Sequence, residues 1–118
     1  MSYESYELQF LIFVNTTLDL EELVASLKGA LGGISEESFR TFDWSGNWVQ
    51  VWPNEDYDES LVSDPEEGYL CYRYRVEVSP IDGNKSVDRQ VTIAKHLKAV
   101  LESLGCAAVI GADFEELL

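Results

Sequence analysis

Ser38-Phe39-Arg40-Thr41-Phe42-Asp43-Trp44-Ser45-Gly46-Asn47-Trp48-Val49-Gln50-Val51-Trp52 is the stretch whose reading decides the fold. A glycine in a short loop between aromatic and β-branched residues reads as a hairpin. Residues 38–44 and 48–52 therefore become antiparallel strands, and Pro53 ends the second. Downstream, residues 69–78 alternate as a third strand. Leu70, Tyr72, Tyr74, Val76 and Val78 share one face, and Tyr69, Cys71, Arg73, Arg75 and Glu77 share the other.

A helix brackets this meander on each side. Before it, Tyr6, Leu8, Phe10, Ile12 and Val14 alternate with Glu7, Gln9, Leu11 and Phe13, a strand whose second half is apolar on both faces. That pattern predicts a central position. Asp19-Leu20-Glu21-Glu22 reads as a capping box, with acids at the positive helix end. Leu20, Leu23, Val24, Leu27 and Leu31 follow at helical spacing until Gly32-Gly33. After the meander, Ser79-Pro80-Ile81-Asp82-Gly83-Asn84 is a turn, leading to a second helix from about Ser86 to Leu104. Val87, Val91, Ala94, Leu97, Leu101 and Leu104 form its predicted buried stripe, and Gly105 stops it. Residues 106–110 make a last strand, and residues 113–118 a closing turn.

The expected order is β-α-β-β-β-α-β: an α+β fold with one antiparallel sheet and both helices on one face, as in ferredoxin-like folds. It has one strand more than the simplest version of that pattern. Residues 1–118 read as one domain, with neither repeat nor linker.

The chain carries 22 acids and 8 bases, a formal charge of −14, with 46% hydrophobic residues. That apolar content excludes a disordered chain. The charge makes nucleic acid and anionic membrane poor partners and a basic protein the natural complement. The longest apolar run, residues 10–14, falls far short of the roughly 20 residues a bilayer needs. Met1-Ser2-Tyr3-Glu4 lacks a basic leader region, and Cys71 and Cys106 have no metal-knuckle spacing. Both features predict a cytoplasmic protein with reduced thiols.

Few residues invite catalysis. His96 lies off the apolar stripe beside Lys95 and Lys98, a solvated or boundary histidine. Cys71 alternates with Arg73 and Arg75, which lower a thiol pKa, yet no Cys–His pair can be placed. Gly32-Gly33 follows a helix, whereas a phosphate loop precedes one. Asp56, Asp58, Ser60, Val62, Asp64 and Glu67 fall at the spacing of an EF-hand loop. Leu61, however, stands where that loop needs Gly, Pro65 interrupts it, and strands rather than helices flank it. The expectation is no enzyme, no metal and no cofactor.

Binding residues are easier to nominate. Residues 54–67 hold Glu55, Asp56, Asp58, Glu59, Asp64, Glu66 and Glu67 with no base, a loop that focuses negative potential. Trp48 and Trp52 alternate away from Val49 and Val51, so they face outward, together with Tyr69, Arg73 and Arg75. Trp, Tyr and Arg carry most interface binding energy. The other arrangement open to this sequence folds the acidic loop over that face, burying the tryptophans and pairing Arg73 and Arg75 with its carboxylates.

Trp44-Ser45-Gly46-Asn47-Trp48, Gly68-Tyr69-Leu70 leading into Tyr72-Arg73-Tyr74, and the ending Asp113-Phe114-Glu115-Glu116 give the chain an overall layout. It resembles the small acidic bacterial immunity proteins of polymorphic toxin systems. The resemblance implies a cytosolic inhibitor that covers a cognate toxin, with no catalytic residues of its own; against a nuclease, the acids would act as phosphate mimics. Two other readings compete: a ferredoxin-like regulatory module that homodimerises through its open sheet face, and a small enzyme built on Cys71 or a carboxylate pair.

Overall fold

The computed structural model describes residues 6–81 and 86–118. Residues 1–5 and 82–85 lie outside them, and with them the Asp82-Gly83-Asn84 part of the predicted turn. The described elements run β1 (Phe10–Asn15), α1 (Leu20–Leu31), β2 (Ser35–Ser38), β3 (Thr41–Trp44), β4 (Asn47–Pro53), a 3-10 turn (Gly68–Cys71), β5 (Tyr74–Pro80), α2 (Val87–Ser103), β6 (Ala107–Ala112) and a second 3-10 turn (Glu115–Leu117). One six-stranded sheet has the order β2-β3-β4-β5-β1-β6, and every neighbouring pair is antiparallel.

The fold is α+β with two helices, but its strand count corrects the expected β-α-β-β-β-α-β. The segment expected to be one strand over 38–44 is divided by a turn at Phe39 and Arg40. The Arg40 carbonyl there accepts the Val51 N–H at 3.0 Å. Ser35-Glu36-Glu37-Ser38 becomes a separate, fully exposed edge strand with an irregular register against β3. It has no apolar alternation, so nothing local marks it as a strand.

The strand expected from Tyr69 is corrected too: β5 begins at Tyr74. Asn54 Nδ2 donates to the carbonyls of Leu70 at 3.0 Å and Tyr72 at 2.7 Å, which holds residues 70–72 out of the ladder. Leu70, assigned by alternation to the buried face, is exposed.

Alternation sets the core everywhere else. Phe10, Ile12 and Val14 of β1, Val49 and Val51 of β4, and Tyr74, Val76 and Val78 of β5 are buried on one face. Register brings Ile12 opposite Val76, and Val76 opposite Val51. Leu23, Val24 and Leu27 of α1 and Ile93, Ala94, Leu97 and Leu101 of α2 complete that same cluster. Both helices therefore cover one face and leave the other uncovered.

Local signals explain the helix ends. Asp19 accepts the Glu22 N–H at 2.8 Å and Glu22 Oε1 accepts the Asp19 N–H at 3.2 Å, a complete capping box. Ser86 caps α2 by accepting the Arg89 N–H at 3.1 Å. In the β3–β4 turn Ser45 and Gly46 have φ of 53° and 79°, the paired left-handed geometry that matches the twist of a two-residue hairpin.

The buried face of α2 also includes Gln90 and Ile93, which the predicted stripe omits, while Val91 and Leu104 are only partly buried. Gln90 and Asn47 exchange amide hydrogen bonds of 2.9 and 3.2 Å, and Gln90 Nε2 also donates to the Leu8 carbonyl at 3.1 Å. A buried amide is tolerated only with such partners. This pair fixes α2 against the start of β4.

Candidate binding face

The uncovered face takes the alternate residue of each central strand. Across the sheet, Trp52 lies opposite Arg75, Arg75 opposite Phe13, and Phe13 opposite Val109. The next row runs Gln50, Glu77, Leu11 and Gly111, and Trp48 faces Ser79 beyond it. Trp48 and Trp52 are each 36% exposed while Val49 between them is fully buried, so the hairpin turns its tryptophans outward. Arg40 rests over the Trp52 ring, 5.2 Å from its centroid, leaving a flat cationic-aromatic surface.

Beside this row lies a cleft of about 580 Å³, lined by Glu7, Gln9, Leu11, Arg75, Glu77 and Asp113 among others. Glu77 accepts from Gln9 Nε2 at 2.6 Å, and Asp113 accepts the Glu7 N–H at 2.9 Å. Arg75 Nε is buried without a hydrogen-bond partner. The cleft thus combines three carboxylates with one guanidinium donor that lacks an acceptor.

The acidic loop follows β4 and packs at the end of the sheet, where Tyr57, Glu59 and Val62 line a cleft with Asn15, Thr16, Thr17 and Arg73. Its seven acids are all exposed. Its backbone is held by its own side chains: Asn54 Oδ1 accepts the Asp56 N–H at 3.1 Å, and Asp58 Oδ1 accepts the Ser60 N–H at 3.0 Å. Asp64 Oδ1 accepts the N–H groups of Glu66 at 2.9 Å and Glu67 at 3.1 Å. Those two donors, Glu67 first, lower the Asp64 pKa because they favour the charged carboxylate. At Gly68 a Cβ would stand 2.5 Å from the Val62 carbonyl oxygen, so the two backbone segments cross in direct contact.

The loop meets the end of the sheet, where the Asn54 N–H donates to the Arg73 carbonyl at 2.9 Å, and just after it Tyr69 packs edge-on against Phe13 at 5.4 Å. It leaves the tryptophans exposed, and neither Arg73 nor Arg75 pairs with its carboxylates. Arg73 instead donates to the carbonyls of Thr16 at 3.4 Å and Leu18 at 3.1 Å, tying down the β1–α1 connection. Of the nominated residues, Trp48, Trp52 and Arg75 share one surface, the seven loop acids are exposed, and Arg73 is occupied elsewhere.

The remaining cations do little to neutralise the acids. Among the described residues the ion pairs are Lys28–Glu36 at 3.2 Å and Lys98–Glu102 at 3.7 Å. Arg89 donates to the Ser45 carbonyl at 2.9 Å. The loop carboxylates therefore present their full charge to solvent.

The catalytic candidates are placed as follows. His96 is exposed and stacked on Trp44, 5.6 Å between centroids. Cys71 lies in the 3-10 turn, so it does not alternate with Arg73 and Arg75 along a strand as the sequence predicts. Cys106 is buried, and burial pushes its thiol pKa up, away from the reactive thiolate. Among the described residues no three His, Cys, Asp or Glu side chains converge as a metal set, and no helix is long and apolar enough to cross a membrane.

Sequence reading puts Glu77 on the face of Arg75 without nominating it, and does not nominate Glu7, Gln9, Arg40 or Asp113 for binding either. Each lies on or beside an outward strand position, but only the pairing of β5 and β6 with β1 brings the cleft residues together. Comparison with models of protein families, with curated proteins and with solved structures finds no match for the chain.

Proposed function

We propose that this chain is a non-catalytic inhibitor of the immunity-protein kind, sequestering a basic toxin or effector on its open sheet face. One observation carries the reading: Trp48, Trp52 and Arg75 share an uncovered face, in a chain whose seven loop carboxylates are exposed and paired with no cation among the described residues. Aromatic anchors and a guanidinium supply interface energy, and the unneutralised loop attracts and orients a positively charged partner. The cleft at Glu7, Glu77 and Asp113 accepts a lysine or arginine of that partner. Nucleic acid and anionic membrane are repelled by the same charge.

The inner order β4-β5-β1-β6, with α1 following β1 and α2 following β5, supports a ferredoxin-like core to which the β2–β3 hairpin has been added. Such a core serves many functions, so the functional reading rests on the face and not on the fold.

The test is calorimetric titration against basic toxins encoded beside the gene. A saturable complex whose Kd rises steeply with salt supports the proposal. Trp52→Ala should weaken that complex by about 2 kcal/mol or more, as expected of a central aromatic anchor, while leaving the thermal melt nearly unchanged. Absence of binding to every such toxin at low salt overturns it.

A further inference from the structure

The two edges of the sheet are built differently. The β2 edge is four residues long, has two glutamates and an irregular register, and offers little for another strand to join. The opposite edge, β6, is Ala107-Ala108-Val109-Ile110-Gly111-Ala112, with neither charge nor proline. Among the described residues it pairs with β1 alone, so half of its backbone N–H and C=O groups have no strand partner there. Natural sheets protect such edges with charges, prolines or bulges, and β6 has none of them.

Alongside this edge runs a groove of about 360 Å³ lined by Lys95, Lys98, Ala108, Val109, Ile110 and Leu118. In a chain of net charge −14 it is lined by two lysines and no acidic side chain. Lys95 has no ion-pair partner among the described residues, and Lys98 reaches only Glu102, at 3.7 Å.

We propose that β6 is a strand-addition site for an extended acidic-apolar peptide segment of a partner protein. The segment's backbone extends the sheet antiparallel to β6. Its acidic side chains, on the helix side of the sheet, pair with Lys95 and Lys98, and its alternate apolar side chains turn to the opposite side of the edge. Main-chain bonds supply affinity in this mode and the flanking side chains supply selectivity. A second copy of the chain fits less well, because a two-fold at this edge brings Lys95 and Lys98 of both copies to one seam. The site is separate from the open sheet face and takes a partner of opposite charge, so it does not rest on the inhibitor reading.

The probe is an acetylated, amidated hexapeptide of alternating Glu and Val, with the Lys-Val counterpart as control. On saturation, hydrogen exchange of the β6 amides should slow by about tenfold or more, with the Lys-Val peptide producing no slowing. K95E/K98E, both on the solvent side of α2, should weaken binding of the Glu-Val peptide at least tenfold and leave the melting temperature close to wild type. Three outcomes overturn the proposal. They are no slowing at millimolar peptide, equal slowing by both peptides, or β6 protection that rises with protein concentration without peptide, which would assign the edge to a second copy.

Discussion

The two sides of β4 carry opposite lessons. Val49 and Val51 point at the helices and are fully buried, whereas Trp48 and Trp52, larger and more apolar in area, are left 36% exposed. On the helix side, complementarity to α1 and α2 decides which side chains fit. On the open side no helix packs among the described residues, and only local contacts such as Tyr69 on Phe13 and Arg40 on Trp52 cover it. Hydrophobic bulk in this sheet therefore does not by itself set burial, and the tryptophans are covered only in part.

Substitutions on the two faces should separate by several kcal/mol. Phe42→Ala, on the buried side of β3, should cost about 3–5 kcal/mol in chemical denaturation, as expected for a fully enclosed phenylalanine. Trp52→Ala loses the Arg40 contact and partial burial, and should cost about 1 kcal/mol or less. Similar losses at the two sites would break the comparison.

The buried amide pair sharpens it further. Asn47→Ala should destabilise by about 1–3 kcal/mol, because Gln90 loses a buried partner. The double variant with Gln90→Ala should cost clearly less than the sum of the two single changes, measured by a double-mutant cycle. Gln50, the amide at the corresponding alternate position on the open side, should tolerate alanine within about 0.5 kcal/mol.

At the boundary between the faces, Gly68→Ala drives a methyl against the Val62 carbonyl and should cost about 1–3 kcal/mol. Amide exchange should accelerate first in residues 54–72 and leave β1 and β5 protected. The smallest effect is electrostatic. Asp64 has a depressed folded-state pKa, so its stabilisation of the loop is present above the unfolded value near 3.9 and fades as pH falls through the lower folded value. In an acid titration followed by NMR, the Glu66 and Glu67 amide shifts should move in that window, and Asp64→Asn should remove that component from these two amides while the core amides stay unchanged.

Much of this architecture is legible without coordinates. The alternation of Phe10, Ile12 and Val14, the Asp19–Glu22 capping box, the Ser45-Gly46 turn and the two sides of β4 are short-range features. They depend on residues within one or two turns of each other, so sequence alone determines them. Tertiary structure decides what depends on distant segments. Ser35–Ser38 is a strand only because β3 offers it an edge, and β5 starts at Tyr74 because Asn54 and the Gly68–Val62 crossing hold the preceding residues away. Likewise, Arg73 binds two carbonyls while Arg75, on the same side of the chain two residues later, is left without an acceptor. Periodicity tells which side of a strand a residue faces, but not which strand lies next to it. That long-range choice brings Glu7, Gln9, Arg75, Glu77 and Asp113 into one cleft and leaves β6 as the unprotected edge.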